Sequence, residues 1–249
     1  MFDVYFLLVL LRTTGLVFSA PFLGDRQIPM QVKLIFSLML SFAVYSSLPR
    51  LNININSVPY LIFLSAGEVL FGLALGMLAS LPFFAVQLAG QISGYQMGLA
   101  VANVFDPGSM NRQSVVSSFL FWTTIMVFFL GNFHLLFFVA LRNSFVSSPL
   151  AVNFIITPNQ VVDLQRLVSG LFLISAQIGA PIMLTLLLVM ISLGLITRLI
   201  PQMNIFIVGI PIQIMVGMLV LIGMTPLLAK VSRELLLNHS LLLLRLVGG

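Results

Sequence analysis

Apolar residues dominate six stretches of the chain, and charged residues are rare inside them. A helix that crosses about 30 Å of hydrocarbon needs about 20 apolar residues. Turn-forming residues such as Gly24, Pro49 and Pro107 separate the stretches. The pattern predicts an all-α membrane protein of about six hydrophobic helices or helical hairpins. The stretches cover residues 4–22, 34–48, 58–105, 115–141, 167–197 and 205–229.

The third stretch is longer than one crossing requires, because the chain carries no charge between Glu68 and Asp106. Its second half, residues 89–105, is rich in Gly, Gln and Ser rather than Leu. Such a segment suits a helix or a re-entrant loop packed inside protein better than a helix facing lipid. We therefore expect other protein segments to cover it.

The composition excludes several classes of protein. Of the 249 residues, 60% are hydrophobic and 7% are charged, whereas a soluble domain usually has about 25% charged residues. An ordinary soluble protein and a disordered chain are therefore excluded, and the absence of Cys excludes a disulfide scaffold. Since six apolar stretches leave no room for a sizeable soluble domain, we expect residues 1–249 to form a single domain.

The net charge of +5 does not indicate a nucleic-acid partner. The eleven Lys and Arg residues are scattered along the chain, whereas a nucleic-acid surface needs them clustered on one face. A basic excess in a polytopic protein favours loops at a membrane surface. Membrane lipid is therefore an expected partner, and nucleic acid is not.

The residues needed for catalysis are missing. The two histidines, His134 and His239, are far apart in the sequence, and no zinc-binding, nucleophile-elbow or phosphate-loop motif occurs. The Asp residues lie at ends and turns, so one apolar span cannot supply a pair of carboxylates. We expect no catalytic residue, no metal and no cofactor, and hence not an enzyme.

Three charged residues stand out: Arg12 and Glu68 lie inside apolar stretches, and Arg198 follows the fifth stretch shortly before Pro201. A charge near the bilayer centre costs about 3 kcal/mol or more, so such groups usually pair or face water. One interpretation is an ion pair used in gating or coupling, within the chain or with a partner. The other is that these residues lie near helix ends and reach water or backbone. We predict buried polar contacts at all three positions.

Small residues recur at four-residue spacing, first at Gly72 and Gly76 and then at Gly90, Gly94 and Gly98. This spacing keeps them on one side of a helix, where they let helix backbones approach closely. Two glutamines near the same side are able to form hydrogen bonds across it: Gln87 and Gln91. These seven residues are predicted to pack helices together inside the chain, or else to meet other subunits or line an aqueous path.

Short motifs follow one another from residue 12 to about residue 226. The first group is RTTG at 12–15, AP at 20–21, IP at 28–29 and Lys33; the second is GLALG at 72–76, QLAG at 87–90, GYQMGL at 94–99 and DPGS at 106–109; the third is PQMNIFIVGIP at 201–211. This ordered series resembles the FliR family of flagellar type III export-gate subunits. One departure is Gln91, since many members of that family have an acidic residue there, so the resemblance gives this position no charge-based role.

The resemblance implies a core subunit that assembles with FliP and FliQ homologues into a hetero-oligomeric, helical export gate. FlhB and FlhA are further partners, and unfolded flagellar proteins are the exported substrates. The implied location is the inner membrane of a bacterium, in the flagellar basal body, with part of the assembly projecting to the periplasmic side. Since the energy for export is supplied elsewhere in the machine, the resemblance agrees with a protein that is not an enzyme.

In the FliR family, the segment around the QMG and DPGS motifs forms a plug inside the closed channel. By motif, the plug residues here are Val101, Ala102, Asn103, Val104, Phe105, Asp106, Pro107, Gly108 and Ser109. Large apolar side chains in this segment suit a seal that excludes water. The alternative is an ordinary connection between two helices.

Two other functions stay open at this stage. The first is the equivalent gate subunit of a virulence injectisome, although the QMG and DPGS motifs favour the flagellar branch. The second is a stand-alone membrane transporter. That function usually involves a substrate site at discontinuous helices related by an internal repeat, and the sequence has no repeat of fixed period.

Overall fold

The computed structural model describes residues 4–25, 28–49, 57–99, 114–151, 158–200 and 204–248. The regular elements in these ranges are α-helices, and no strand occurs among them. Their bounds are α1 Val4–Ser19, α2 Met30–Ser46, α3 Val58–Gln96, α4 Val115–Leu130, α5 Phe133–Ser147, α6 Pro158–Leu199, α7 Ile205–Gly223 and α8 Thr225–Gly248.

The length and apolar character of these helices confirm the predicted class, an all-α membrane protein. Within the described ranges, three helical segments are long and apolar enough to cross a membrane: Val58–Gln96, Gln160–Leu199 and Ile207–Gly248. The pair α4 and α5 adds a fourth if it is counted as one broken span. The first two apolar stretches form the shorter helices α1 and α2.

The stretch 115–141 is interrupted, since α4 ends before Gly131 and α5 begins after Asn132. Asn132 has a φ of 55°, a left-handed conformation that Asn adopts more readily than most residues. The stretch 205–229 is likewise divided between α7 and α8. The second helix begins next to Pro226, which lacks the N–H needed to continue a helical ladder. Apolar residues flank both breaks, so hydropathy alone does not reveal them.

The chain divides into two compact units. The first comprises Met1–Pro82, Asn132–Leu167 and Leu236–Gly249. Its core is formed by buried side chains of α1, α2, α3, α5 and the end of α8, together with Leu48 after α2: Tyr5, Val9, Leu16, Val44, Leu48, Leu75, Leu141, Phe145 and Val247.

The second unit comprises Phe83–Gly131 and Val168–Leu235. Its core draws on α3, α4, α6, α7 and α8, together with Met97 after α3 and Met224 between α7 and α8: Val86, Ala89, Met97, Val116, Leu120, Ile178, Ile182, Leu186, Leu221, Met224, Leu228 and Leu235. The helices α3, α6 and α8 contribute residues to both units. That residues 1–249 act as a single domain stays a prediction.

The helix α2 has polar residues on its buried side. Lys33, Ser37 and Ser41 are buried at four-residue intervals, and the Lys33 ammonium group donates a hydrogen bond of 3.0 Å to the Gly24 carbonyl oxygen. The outer surface of α2 carries exposed apolar side chains: Met30, Val32, Leu34, Ile35, Leu38, Met39 and Phe42. This is the reverse of a helix on a water-exposed protein surface, so α2 suits apolar surroundings.

Candidate functional site: a buried ion pair and close helix contacts

Arg12 of α1 and Glu68 of α3 form a fully buried ion pair within the first unit. The Nε of Arg12 donates to Oε2 of Glu68 over 2.6 Å, and neither side chain is exposed. An unpaired charge in a protein interior is very unfavourable, so each residue makes the burial of the other tolerable. The structure thus places the two charges together inside the chain.

The same pair binds the end of α5. The Nη1 of Arg12 donates to the carbonyl oxygen of Ser144 at 3.0 Å and to its hydroxyl at 3.2 Å, while Nη2 donates to the carbonyl oxygen of Ser148 at 3.1 Å. The Oε1 of Glu68 accepts from the backbone N–H of Ala151 at 2.8 Å. Carbonyl groups at the end of a helix carry partial negative charge, and the Ser144 carbonyl also accepts the N–H of Ser148 at 3.1 Å. The guanidinium and carboxylate therefore fix the end of α5 against α1 and α3.

Two aromatic rings enclose the guanidinium. The Cζ of Arg12 lies 4.7 Å from the ring centroid of Phe71 and 4.0 Å from that of Phe145. A cation over an aromatic face is attracted by the ring quadrupole, and more strongly when water is excluded. The rings thus compensate part of the hydration that Arg12 loses on burial.

Arg198 differs from the other two predicted charged residues. It is exposed in the last turn of α6, which corrects the prediction of a buried contact there. A basic side chain in the last turn interacts favourably with the partial negative charge of the terminal carbonyls while it remains hydrated. It therefore does not need a buried partner.

Gly72 and Gly76 bring α3 against α1. A Cβ atom at Gly72 would collide with the carbonyl oxygen of Arg12, and a Cβ at Gly76 would lie 2.6 Å from the carbonyl oxygen of Leu16. Gly15 of α1 meets α3 in the same way, since a Cβ there would lie 2.6 Å from a backbone oxygen of that helix. The first row of small residues therefore packs two helices of this chain at backbone contact.

Gly90 and Gly94 bring α3 against the start of α4 within the second unit. A Cβ at Gly90 would overlap the backbone of Ser117, and a Cβ at Gly94 would overlap the side chain of Ser114. Ser114 is the residue before α4 and caps it, accepting a hydrogen bond from the N–H of Val116. The second row of small residues thus positions the first turn of α4.

The two glutamines reinforce this contact. The Oε1 of Gln91 accepts from the backbone N–H of Ser114 at 3.0 Å, and its Nε2 donates to the Tyr95 hydroxyl at 2.8 Å. Gln87 takes part through its backbone, since its main-chain carbonyl oxygen accepts from the hydroxyl of Ser117 at 2.9 Å. The first N–H groups of a helix lack intrahelical partners, and the Gln91 side chain supplies an acceptor for the N–H of Ser114 at the start of α4.

Gly98 is not part of the helical row, because α3 ends at Gln96. Gly98 has a φ of +81°, and the N–H groups of Gly98 and Leu99 donate to the carbonyls of Tyr95 and Gly94. This pattern is a Schellman motif, in which glycine is favoured at the left-handed position. The prediction that Gly98 continues the helical ridge is therefore corrected: Gly98 ends α3.

The predicted plug, residues 101–109, lies outside the described residues. Its neighbour Met97 is fully buried, and a Cβ added at Gly217 of α7 would lie 2.7 Å from the Met97 side chain. The chain on the N-terminal side of the predicted plug is thus fixed against α7.

Sequence reasoning missed the partners that complete these contacts. Ser144 and Ser148 are distant in sequence from Arg12, and no spacing rule connects them. It also missed His239, which is buried in α8 and contacts the carbonyl oxygen of Leu78; a histidine inside an apolar run was the available signal.

Among the residues that the structure describes, no group of His, Cys, Asp and Glu side chains could hold a metal ion.

Comparisons with known proteins identify relatives over most of the chain. Residues 4–239 match the family described as bacterial export proteins, family 1. The flagellar biosynthetic protein FliR of Escherichia coli (strain K12) is 32% identical over 226 residues, which are 91% of this chain and 86% of that protein. The flagellar biosynthetic protein FliR of Bacillus subtilis (strain 168) is 30% identical over 222 residues, which are 87% of this chain and 84% of that protein.

A relative with a different name matches a shorter part. The Yop proteins translocation protein T of Yersinia pestis is 34% identical over 163 residues, which are 65% of this chain and 62% of that protein.

Proposed function

The chain belongs to the bacterial export proteins, family 1, and we propose that within this family it is a core subunit of the flagellar type III protein export gate. The observation that carries the proposal is its similarity to flagellar FliR proteins across 91% of the chain. The all-α architecture, with helices long and apolar enough to cross a membrane, agrees with such a gate. In this role the chain forms part of the pore wall through which unfolded flagellar subunits leave the cell.

The equivalent subunit of a virulence injectisome is the second candidate. It is favoured by the similarity to the Yop proteins translocation protein T, whose identity of 34% is as high as that of the flagellar relatives. That match covers 65% of the chain, however, against 91% for the flagellar protein of Escherichia coli. The flagellar function is therefore the first candidate.

The proposed partners are homologues of FliP and FliQ in the gate itself, with FlhB and FlhA as associated components. The proposed location is the inner membrane of a bacterium, at the flagellar basal body, with part of the assembly on the periplasmic side. Exposed apolar side chains on α2, α6 and α7 support a setting in lipid or among apolar partner helices. A close-packed helical wall needs no bound cofactor, and we propose no enzymatic activity for it.

Residues 101–109 are proposed as the plug of the closed gate. Shortening residues 101–105 should leave assembly intact, because the contacts at Gly90, Gly94 and Met97 lie outside that segment. Ions or small solutes should then leak across the membrane. Normal permeability in a variant gate that has assembled would contradict the plug.

The proposed function is tested by deletion and complementation. A strain that lacks this chain should fail to secrete hook and filament proteins and should be non-motile, and expression of the chain should restore both. The variant Gly170→Ala is a suitable positive control, because a Cβ at Gly170 meets nothing within 4 Å. Loss of virulence-protein secretion with normal motility would assign the chain to an injectisome instead.

A further inference from the structure

A proline interrupts the hydrogen bonding of α3 at a buried position. Pro82 lies inside this helix, and in an α-helix the N–H of residue 82 would donate to the carbonyl oxygen of residue 78. Proline has no N–H, so the Leu78 carbonyl loses its usual donor. A buried carbonyl without a donor is unfavourable, and more so in an apolar surrounding where water is absent.

A histidine from another helix contacts this same carbonyl. The Nε2 of His239 in α8 lies 2.7 Å from the carbonyl oxygen of Leu78, and the His239 side chain is buried. A carbonyl oxygen only accepts hydrogen bonds, so the proton between the two atoms belongs to the imidazole. The contact therefore fixes the protonated nitrogen of His239 as Nε2.

We propose that His239 is a positioning residue that replaces the backbone donor missing at Pro82 and thereby joins the C-terminal part of α8 to α3. Leu78, Pro82 and His239 all lie in the first unit. Near its C-terminal end, the same part of α8 also accepts hydrogen bonds: the Ser147 hydroxyl donates to the Val247 carbonyl at 2.5 Å, and Gln160 Nε2 donates to the Leu246 carbonyl at 2.8 Å. Polar contacts thus hold this part of the helix at both ends, and the one at His239 exists because α3 contains a proline. This inference does not depend on the proposed export function.

A double-mutant cycle on the full chain tests the proposal. Pro82→Ala restores an N–H that bonds to the Leu78 carbonyl, so it removes the need for a side-chain donor. With Pro82 present, His239→Leu should raise the equilibrium constant of unfolding in detergent by about 10-fold, the effect of one lost hydrogen bond that leaves a buried acceptor. In the Pro82→Ala background, the same substitution should change that constant by about 3-fold or less.

A packing role would give a different result. If His239 only fills space, His239→Leu has the same effect in both backgrounds, and the proposal is wrong. His239→Gln, which offers an N–H donor, should retain more stability than His239→Leu. His134→Gln, at the other histidine of the chain, is the control outside this contact.

The protonation of the ring gives a second test that needs no change at His239. In the His134→Gln variant, His239 is the single histidine, so ¹⁵N-histidine labelling gives one imidazole in the NMR spectrum of the full chain. We expect a proton on Nε2 and a hydrogen-bonded Nε2–H. A ring without a proton on Nε2 would overturn the assignment even if the His239→Leu chain did not fold.

Discussion

At the scale of single residues, the Arg12–Glu68 pair shows how buried charges are tolerated in so apolar a chain. The carboxylate neutralises the guanidinium, and further hydrogen bonds join the pair to Ser144, Ser148 and Ala151. Desolvation removes much of the net gain from such a pair, but the loss of one member leaves an uncompensated charge. The pair is therefore better described as interdependent than as a large source of stability.

Removing Glu68 alone should destabilise the first unit strongly. Glu68→Leu leaves the buried Arg12 charge without its partner and the Ala151 N–H without an acceptor, so we expect a loss of about 3–5 kcal/mol in the free energy of unfolding. Chemical unfolding in detergent measures this loss.

Two controls accompany that measurement. The double variant Arg12→Met/Glu68→Leu should be more stable than Glu68→Leu, because it removes both charges. Asp163→Ala should cost about 1 kcal/mol or less, since its ion pair with Arg166 is 3.4 Å long and the Arg166 side chain is 73% exposed. A Glu68→Leu chain as stable as the Asp163→Ala chain would contradict the interdependence of Arg12 and Glu68.

The sequence singled out Arg12 and Glu68 because a charge inside an apolar run has few tolerable environments. It did not identify Ser144 or Ser148, since the contact between α1 and α5 joins residues more than 100 positions apart. Arg198 was misjudged for a related reason. Proximity to an apolar stretch does not distinguish a buried residue from one in the last turn of a helix.

At the scale of helices, glycine spacing predicted close packing but not the partner helix. Gly72 and Gly76 pack against α1, whereas Gly90 and Gly94 pack against the start of α4. Nothing in a four-residue spacing specifies which helix will lie opposite. The four-residue spacing also did not predict where α3 ends. Gly98 fits the spacing, but its backbone is left-handed and lies after the helix.

Substituting the packed glycines should separate helix pairs. Gly72→Ala and Gly90→Ala each place a methyl group into the backbone of a neighbouring helix, so we expect each to lower the free energy of unfolding by about 1–3 kcal/mol. The matched control is Gly170→Ala in α6, where the added Cβ meets nothing within 4 Å. That control should be neutral or stabilising by up to about 1 kcal/mol, because Ala favours helix over Gly. Equal effects at the three sites would contradict the packing described.

The end of α8 should contribute to stability although the family match ends at residue 239. Leu246 is 5% exposed and Leu241 is 53% exposed, so the two leucines form a matched pair on one helix. Leu246→Ala should cost about 2–5 kcal/mol, the usual range for a buried leucine, and Leu241→Ala much less in detergent. Thermal unfolding of the two variants compares them directly, and similar midpoints would contradict the docking of α8.

At the scale of the whole molecule, the composition was sufficient to predict an all-α membrane protein, and the ordered motifs were sufficient to identify the family. The number of helices and their first and last residues were harder to predict from the sequence. The breaks at Gly131–Asn132 and before Thr225 lie between apolar segments, and the polar start of α6 extends that helix beyond its apolar part. Hydropathy indicates whether a segment lies in apolar surroundings. The position of a helix break depends instead on the local backbone conformation.

The whole molecule exposes many large apolar side chains. Large side chains such as Phe42, Phe172, Leu188, Met215 and Leu219 are more than half exposed. Several such side chains lie along each of α2, α6 and α7, and exposed apolar surface of this extent marks contacts with lipid or with other proteins. We therefore interpret the chain as one component of a larger membrane assembly.

Co-purification tests this central claim most directly. The chain is tagged in the bacterium that produces it, native membranes are extracted in mild detergent, and the proteins of the stable complex are identified by mass spectrometry. Homologues of FliP and FliQ should be recovered with it, and Gly170→Ala should not change the result. A chain that purifies alone and stays monodisperse would contradict the export-gate function.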